Sequence, residues 1–93
     1  MRTIKYGSRF KKDFRREERG RYASVVEAEL RTLLDKLIVD DELPAKYRDH
    51  QLAGEWKDHR DCHIRPDLIL IYRKPDGATI ELVRLGSHSE LGL

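Results

Sequence analysis

All four histidines of the chain, His50, His59, His63 and His88, lie in its second half. One of them, His63, sits in the stretch DCHIRPD, residues 61 to 67. That stretch places Asp61, His63 and Asp67 directly before Leu68, Ile69, Leu70, Ile71 and Tyr72, a run that reads as the centre of a sheet. Charged groups at the mouth of a buried strand cost free energy unless they are paired, solvated or useful. Histidine titrates closest to neutral pH, so a use in proton transfer comes first to mind.

Three chemistries suit residues of these types. His59, His63 and Asp67 recur every four residues, a spacing that suits a metal only on a helix. Residues 55 to 64 read as a strand, where four residues span about 13 Å. Zinc ligands sit about 2.0 to 2.2 Å from the ion, so no metal and no cofactor are expected. Cys62 shares strand parity with Trp56 and Ile64, away from His63, and reads as a small buried hydrophobe rather than a nucleophile. The third option is acid–base chemistry on a substrate that carries its own nucleophile. RNA does so in its 2′-hydroxyl. Cleavage there needs a base, an acid for the departing 5′-oxygen and cations for the phosphorane charge, each acid or base contributing roughly 10²- to 10⁴-fold. If the strand ends holding His63, Asp67, Arg84 and His88 converge, those parts are present. The plainer alternative is that His63 and Asp67 cap strand ends and pair with Arg60 and Arg65.

The elements that must position these groups follow from periodicity. RTIKY, residues 2 to 6, alternates as a short strand before a helix cap at Gly7-Ser8. Arg9 to Arg19 is a thinly apolar helix anchored by Phe10 and Phe14, with Gly20 as a left-handed cap. Tyr22, Val26, Leu30, Leu33, Leu34, Leu37 and Ile38 predict a second helix over about 22 to 39. Pro44 opens a connection. Strands are expected at 55 to 64 and 68 to 73, with Pro66 interrupting their pairing. The turn signal KPDG, 74 to 77, makes 68 to 73 and 79 to 85 a hairpin. This order, β-α-α-β-β-β, predicts an α+β domain spanning 1 to 93. Two helices cover one face of a small, mainly antiparallel sheet and leave the other face open for a ligand.

The charged fraction is 39% and the net charge +2, but the charge has a geography. Residues 8 to 21 hold seven cations against three carboxylates, and 27 to 42 hold six carboxylates against two cations. Lys11, Lys12, Arg15 and Arg16 on the first helix therefore form a candidate phosphate-contacting surface, or a solvated face with salt-bridging neighbours. One cysteine excludes an internal disulfide and fits a reducing cytoplasm. The start shows no signal-peptide h-region, and no apolar run is long enough for a membrane span.

The runs YRDHQLAGEWKDHRDCHIRPDLILIYRK (47 to 74) and ELVRLGSHSEL (81 to 91) resemble the YafQ-type ribonuclease toxins of the RelE superfamily. The resemblance rests on Y-x-D-H-x-L-x-G-x-W, R-D-x-H-x-x-P-D and R-x-G-[ST]-H. It implies a RelE-like fold and a bacterial type II toxin that enters the ribosomal A site, among ribosomal RNA, and cleaves messenger RNA without a metal. It also implies a cognate DinJ/RelB-like antitoxin, the toxin being a monomer when free and a hetero-oligomer when silenced. Carried over by motif, His50, His63, Asp67, Arg84 and His88 are the catalytic positions. His88 would be the general acid, Asp67 or His63 the base, His50 an orienting or stabilising group and Arg84 the phosphate-facing cation. Arg48, Lys57, Arg60 and Arg65 join the first-helix cations as expected RNA contacts, while His59 matches no functional position. Leu68 and Gly92 stand where the family can carry aromatic side chains, which bears on base stacking and codon preference. The alternatives are a ParE-like, non-catalytic gyrase inhibitor and a degenerate member that only binds RNA or antitoxin.

Overall fold

A computed structural model describes residues 1–93. Five strands form one sheet: β1 (Thr3–Tyr6), β2 (His50–Gln51), β3 (Arg60–Arg65), β4 (Leu68–Asp76) and β5 (Thr79–Gly86), in the order β1-β5-β4-β3-β2. β1 lies parallel to β5, and the other pairs are antiparallel. Helices α1 (Ser8–Glu17) and α2 (Val26–Leu37) cover one face, as the α+β reading requires. Between them and the sheet lies the main core, in which Phe10, Leu30, Leu33, Leu34 and Leu37 meet Cys62, Leu68, Leu70, Tyr72, Ile80, Leu82 and Leu85. Cys62 is the small buried group its parity suggested, and burial pushes its thiol pKa up, which keeps it protonated and inert.

Several expectations are corrected. Gly20 takes no left-handed conformation, since only Gly54 and Gly92 among the glycines have positive φ. α1 instead unwinds through short turns, Arg19 N–H to Arg16 O and Gly20 N–H to Glu17 O. α2 begins at Val26 rather than 22, although Tyr22 still packs against the core from the preceding turn. The strand expected from 55 starts only at Arg60. Gly54–Trp56 forms a single 3₁₀ turn, and Gly54 (φ 67°) and Asp58 (φ 73°) both occupy the left-handed region, which breaks an extended run. Trp56 accordingly packs on the opposite sheet face from Cys62. Pro66 does not interrupt pairing. It forms the β3–β4 turn with Asp67, and Arg65 pairs directly with Leu68 beyond an irregularity at 63 to 65. The β4–β5 hairpin is present, with β4 running on to Asp76.

The second sheet face is not wholly open. Ile69 and Ile71 are fully buried there beneath Leu91, Leu52, Trp56 and Val83. Leu91 comes from α3 (His88–Leu91), a helix not expected in the tail. Ser87 and Glu90 close it with a reciprocal capping box.

Candidate active site

Strand register assembles the site. In one row across the sheet, His50 on β2 faces Asp61, Asp61 faces Ile71, and Ile71 faces Arg84. Two residues along β3, on the same face, His63 faces Ile69, and Ile69 faces Gly86. Asp67 occupies the turn between β3 and β4, and His88 begins α3 two residues after Gly86. A Cβ at Gly86 would come within 2.7 Å of the Arg16 guanidinium and 3.1 Å of the Glu90 carboxylate, so a side chain there would push those two groups aside. The His63 and His88 rings lie 5.3 Å apart between centroids.

Two histidines each turn Nδ1 inward to an acceptor. His88 Nδ1 donates to Asp67 Oδ1 at 2.6 Å, and the same oxygen accepts the His88 backbone N–H at 2.9 Å. These bonds, the backbone one foremost, hold the Asp67 carboxyl below its usual range. His50 Nδ1 lies 2.7 Å from the Arg48 carbonyl. A carbonyl can only accept, so Nδ1 carries the hydrogen and Nε2 the free lone pair. The His50 side chain is 54% exposed.

Behind His50 lies Asp61, 4% exposed. Its Oδ1 is 3.0 Å from His50 Nδ1 and 3.8 Å from His63 Nε2. The His50 N–H is directed at Arg48, however, and Asp61 Oδ1 makes no hydrogen bond, nor does the buried His63 Nδ1. Burial pushes the Asp61 pKa up, and the nearby His50, His63 and His88 only partly oppose it. Sequence reasoning passed over Asp61 as a functional group. Its signal was the shared parity with His63 in R-D-x-H, which puts both on the site face.

Arg84 stands in the right row but is turned away from it. Its guanidinium binds Asp13 of α1, Nε at 2.7 Å and Nη2 at 3.3 Å, and its side chain is 12% exposed. The reason is an unpaired edge. β1 ends at the Tyr6–Leu82 pair, so beyond it the edge of β5 that faces away from β4 has no strand neighbour. α1 supplies one in side chains: Asp13 accepts the Leu85 N–H at 3.0 Å, and Arg16 donates to the Leu85 carbonyl at 2.7 Å. Burial raises the Asp13 pKa, but hydrogen bonds from Arg84 and Leu85 outweigh it and leave the carboxyl below its usual range.

Other expected RNA contacts are likewise committed. Arg16 pairs with Asp13, Glu17 and Glu90, Arg60 with Asp49, and Arg65 with Glu29. Lys11, Lys12, Arg15, Arg48 and Lys57 are exposed. His59 stays outside the cluster, its Nδ1 donating to the Lys57 carbonyl at 3.2 Å and its ring edge-on to Trp56. No three His, Cys, Asp or Glu side chains converge closely enough to hold a metal ion. No helix is long and apolar enough to cross a membrane.

Residues 2–92 match the family described as bacterial toxin of type II toxin–antitoxin system, YafQ. The chain is 37% identical over 92 residues to the mRNA interferase toxin YafQ of Escherichia coli K12, covering 98% of this chain and 96% of that protein. Its backbone is similar to YafQ in the E. coli DinJ–YafQ complex, with a TM-score of 0.83, 35% identity and 98% of each chain covered. It is also similar to a metal-bound toxin from Helicobacter pylori, with a TM-score of 0.87, 40% identity and 98% and 99% of the two chains covered. The match runs through all three helices as well as the histidine-bearing strands, and with it the chain belongs to the YafQ family of type II toxin–antitoxin toxins.

Proposed function

We propose that this toxin is a ribosome-dependent endoribonuclease that cleaves messenger RNA by attack of the 2′-hydroxyl on the adjacent phosphate. The observation that carries the reading is the pair of Asp–His units, Asp61–His50 and Asp67–His88, disposed on either side of the buried His63. Nδ1 is held by the Asp67 carboxylate in His88 and by the Arg48 carbonyl in His50, with the Asp61 carboxylate 3.0 Å from the same nitrogen, which leaves Nε2 for the substrate in both. His88, backed by Asp67, protonates the departing 5′-oxygen. Asp67 is a poor base, because its carboxylate already accepts two hydrogen bonds and is held low. The base role therefore falls to a histidine, and the exposure of His50 favours it over His63, which is 9% exposed. His50 Nε2 takes the 2′-hydroxyl proton, and His63 stabilises charge on the phosphorane between the two. Each positioned acid or base supplies roughly 10²- to 10⁴-fold.

Lys11, Lys12, Arg15, Arg48 and Lys57, which are exposed, meet phosphates of messenger and ribosomal RNA. Arg84 acts through Asp13 on the architecture of β5 rather than on phosphate. A DinJ-like antitoxin silences the toxin, as the relative crystallised with DinJ suggests, and the reaction needs no metal. The test is to induce the protein in cells and map transcript 5′ ends with and without translation. New ends inside coding sequence that vanish when translation is blocked are expected. Ends that persist without translation contradict ribosome dependence, and no new ends at all contradicts the nuclease.

A further inference from the structure

β2, which presents His50, is two residues long and makes two register pairs with β3. So short a strand does not hold itself. It is entered through Arg48 in the left-handed region, φ 47°, and a non-glycine residue persists there only where its surroundings over-determine it. What over-determines it is a carboxylate. Asp49 accepts the Arg60 guanidinium from Nη2 at 2.8 Å and from Nε at 3.3 Å, and it also accepts the Tyr72 phenol O–H. Tyr72 is 1% exposed, lies within the helix-side core and faces Arg60 across β3–β4. Burial first, then the Asp49 hydrogen bond, pushes the phenol pKa up, so it is a donor at any working pH.

The placement of this network matters. Asp49 immediately precedes His50, and Arg60 immediately precedes Asp61, the residue His50 faces. The brace thus ties together the two chain segments whose next residues form the Asp61–His50 unit, from the opposite side of the sheet. Leu52 N–H to the His59 carbonyl, 2.9 Å, closes the far end of the same segment. We propose that Asp49, clamped by Arg60 and Tyr72, is a positioning residue that fixes the His50 ring and so sets the rate of its proton transfer. This rests on the reading of His50 as the base.

The test is a double-mutant cycle in steady-state cleavage of messenger RNA on purified translating ribosomes, with Asp49→Asn, His50→Ala and the double variant. Misplacing a reacting group by about 1 Å costs up to about 10²-fold. Asp49→Asn is therefore expected to lower kcat by about 10- to 100-fold with KM little changed. In the His50→Ala background the same change is expected to cost nothing more, because residues acting as one unit are not additive. Tyr72→Phe, which removes one oxygen and keeps the ring, is expected to show a smaller loss with the same non-additivity. The His50 imidazole ¹⁵N signals should broaden or shift in Asp49→Asn while those of His88 stay in place. Equal losses in both backgrounds, or unchanged kcat in a folded Asp49→Asn, overturn the positioning role alone. Wild-type rate in His50→Ala overturns the reading beneath it.

Discussion

Replacing Asp61 by Asn should make the protein more stable at neutral pH and less active. The carboxyl is 4% exposed, and Oδ1 lacks a hydrogen bond. Its pKa lies above the ordinary 3.8 because burial disfavours the anion. The folded state therefore holds this proton more tightly than the unfolded chain does. Between 3.8 and the raised folded value, stability falls as pH rises, and above both the full penalty stands. Asparagine carries no charge at any pH and has nearly the same shape. An unsatisfied buried acceptor costs about 1–3 kcal/mol when neutral and more when charged, and asparagine removes only that excess. Attraction to His50 and His63 offsets part of that, so a gain of about 1–2 kcal/mol is expected for Asp61→Asn near pH 7.5. In a domain of this size that is about 4–8 °C in Tm per kcal/mol. Thermal and urea melts of both proteins from pH 3 to pH 8 measure it, and the difference should shrink towards zero at the acid end. Cleavage on ribosomes should fall about 10²-fold, the low end of what a positioned base supplies. A loss of stability at pH 7.5 would show that the histidines hold the anion better than water does. A difference independent of pH would mean packing, not charge.

His88→Gln should lower cleavage by at least about 10²-fold while leaving the circular dichroism spectrum and melting curve near wild type. Reversing Lys11, Lys12 and Arg15 to Glu should weaken association with purified ribosomes and flatten its salt dependence. Reversal of Arg60 or Arg65 should instead lower Tm, since those side chains are bound to Asp49 and Glu29. Gly7→Ala should destabilise by about 1–3 kcal/mol in urea melts, because the added Cβ would sit 2.8 Å from the Leu82 carbonyl oxygen.

The parts of the fold that were legible are those whose signal is local and repeated. Leucines at three- and four-residue spacing marked α2, and LILIY followed by KPDG marked the β4–β5 hairpin. What misled was local too. The alternating stretch before Arg60 reads as strand, and nothing in residue type alone shows that Asp58 is left-handed. β2 is too short for periodicity to register, and α3 announced itself only through the Ser87–Glu90 capping spacing. The histidines could be picked out because neutral-pH titration is a property of the residue itself. The fate of Arg84 could not, since its partner Asp13 lies 71 positions away and is recruited by an unpaired strand edge that exists only in the folded sheet.

The central claim is that the strand ends bearing His50, His63, Asp67 and His88 move protons at an RNA phosphate attacked by its own 2′-hydroxyl. The most direct measurement is the chemistry of the ends left on messenger RNA cut by the purified toxin on ribosomes. A 2′,3′-cyclic or 3′-phosphate on one fragment and a 5′-hydroxyl on the other is the result expected. A 3′-hydroxyl with a 5′-phosphate would mean that water, not the ribose, was the nucleophile, and the assigned roles would not stand.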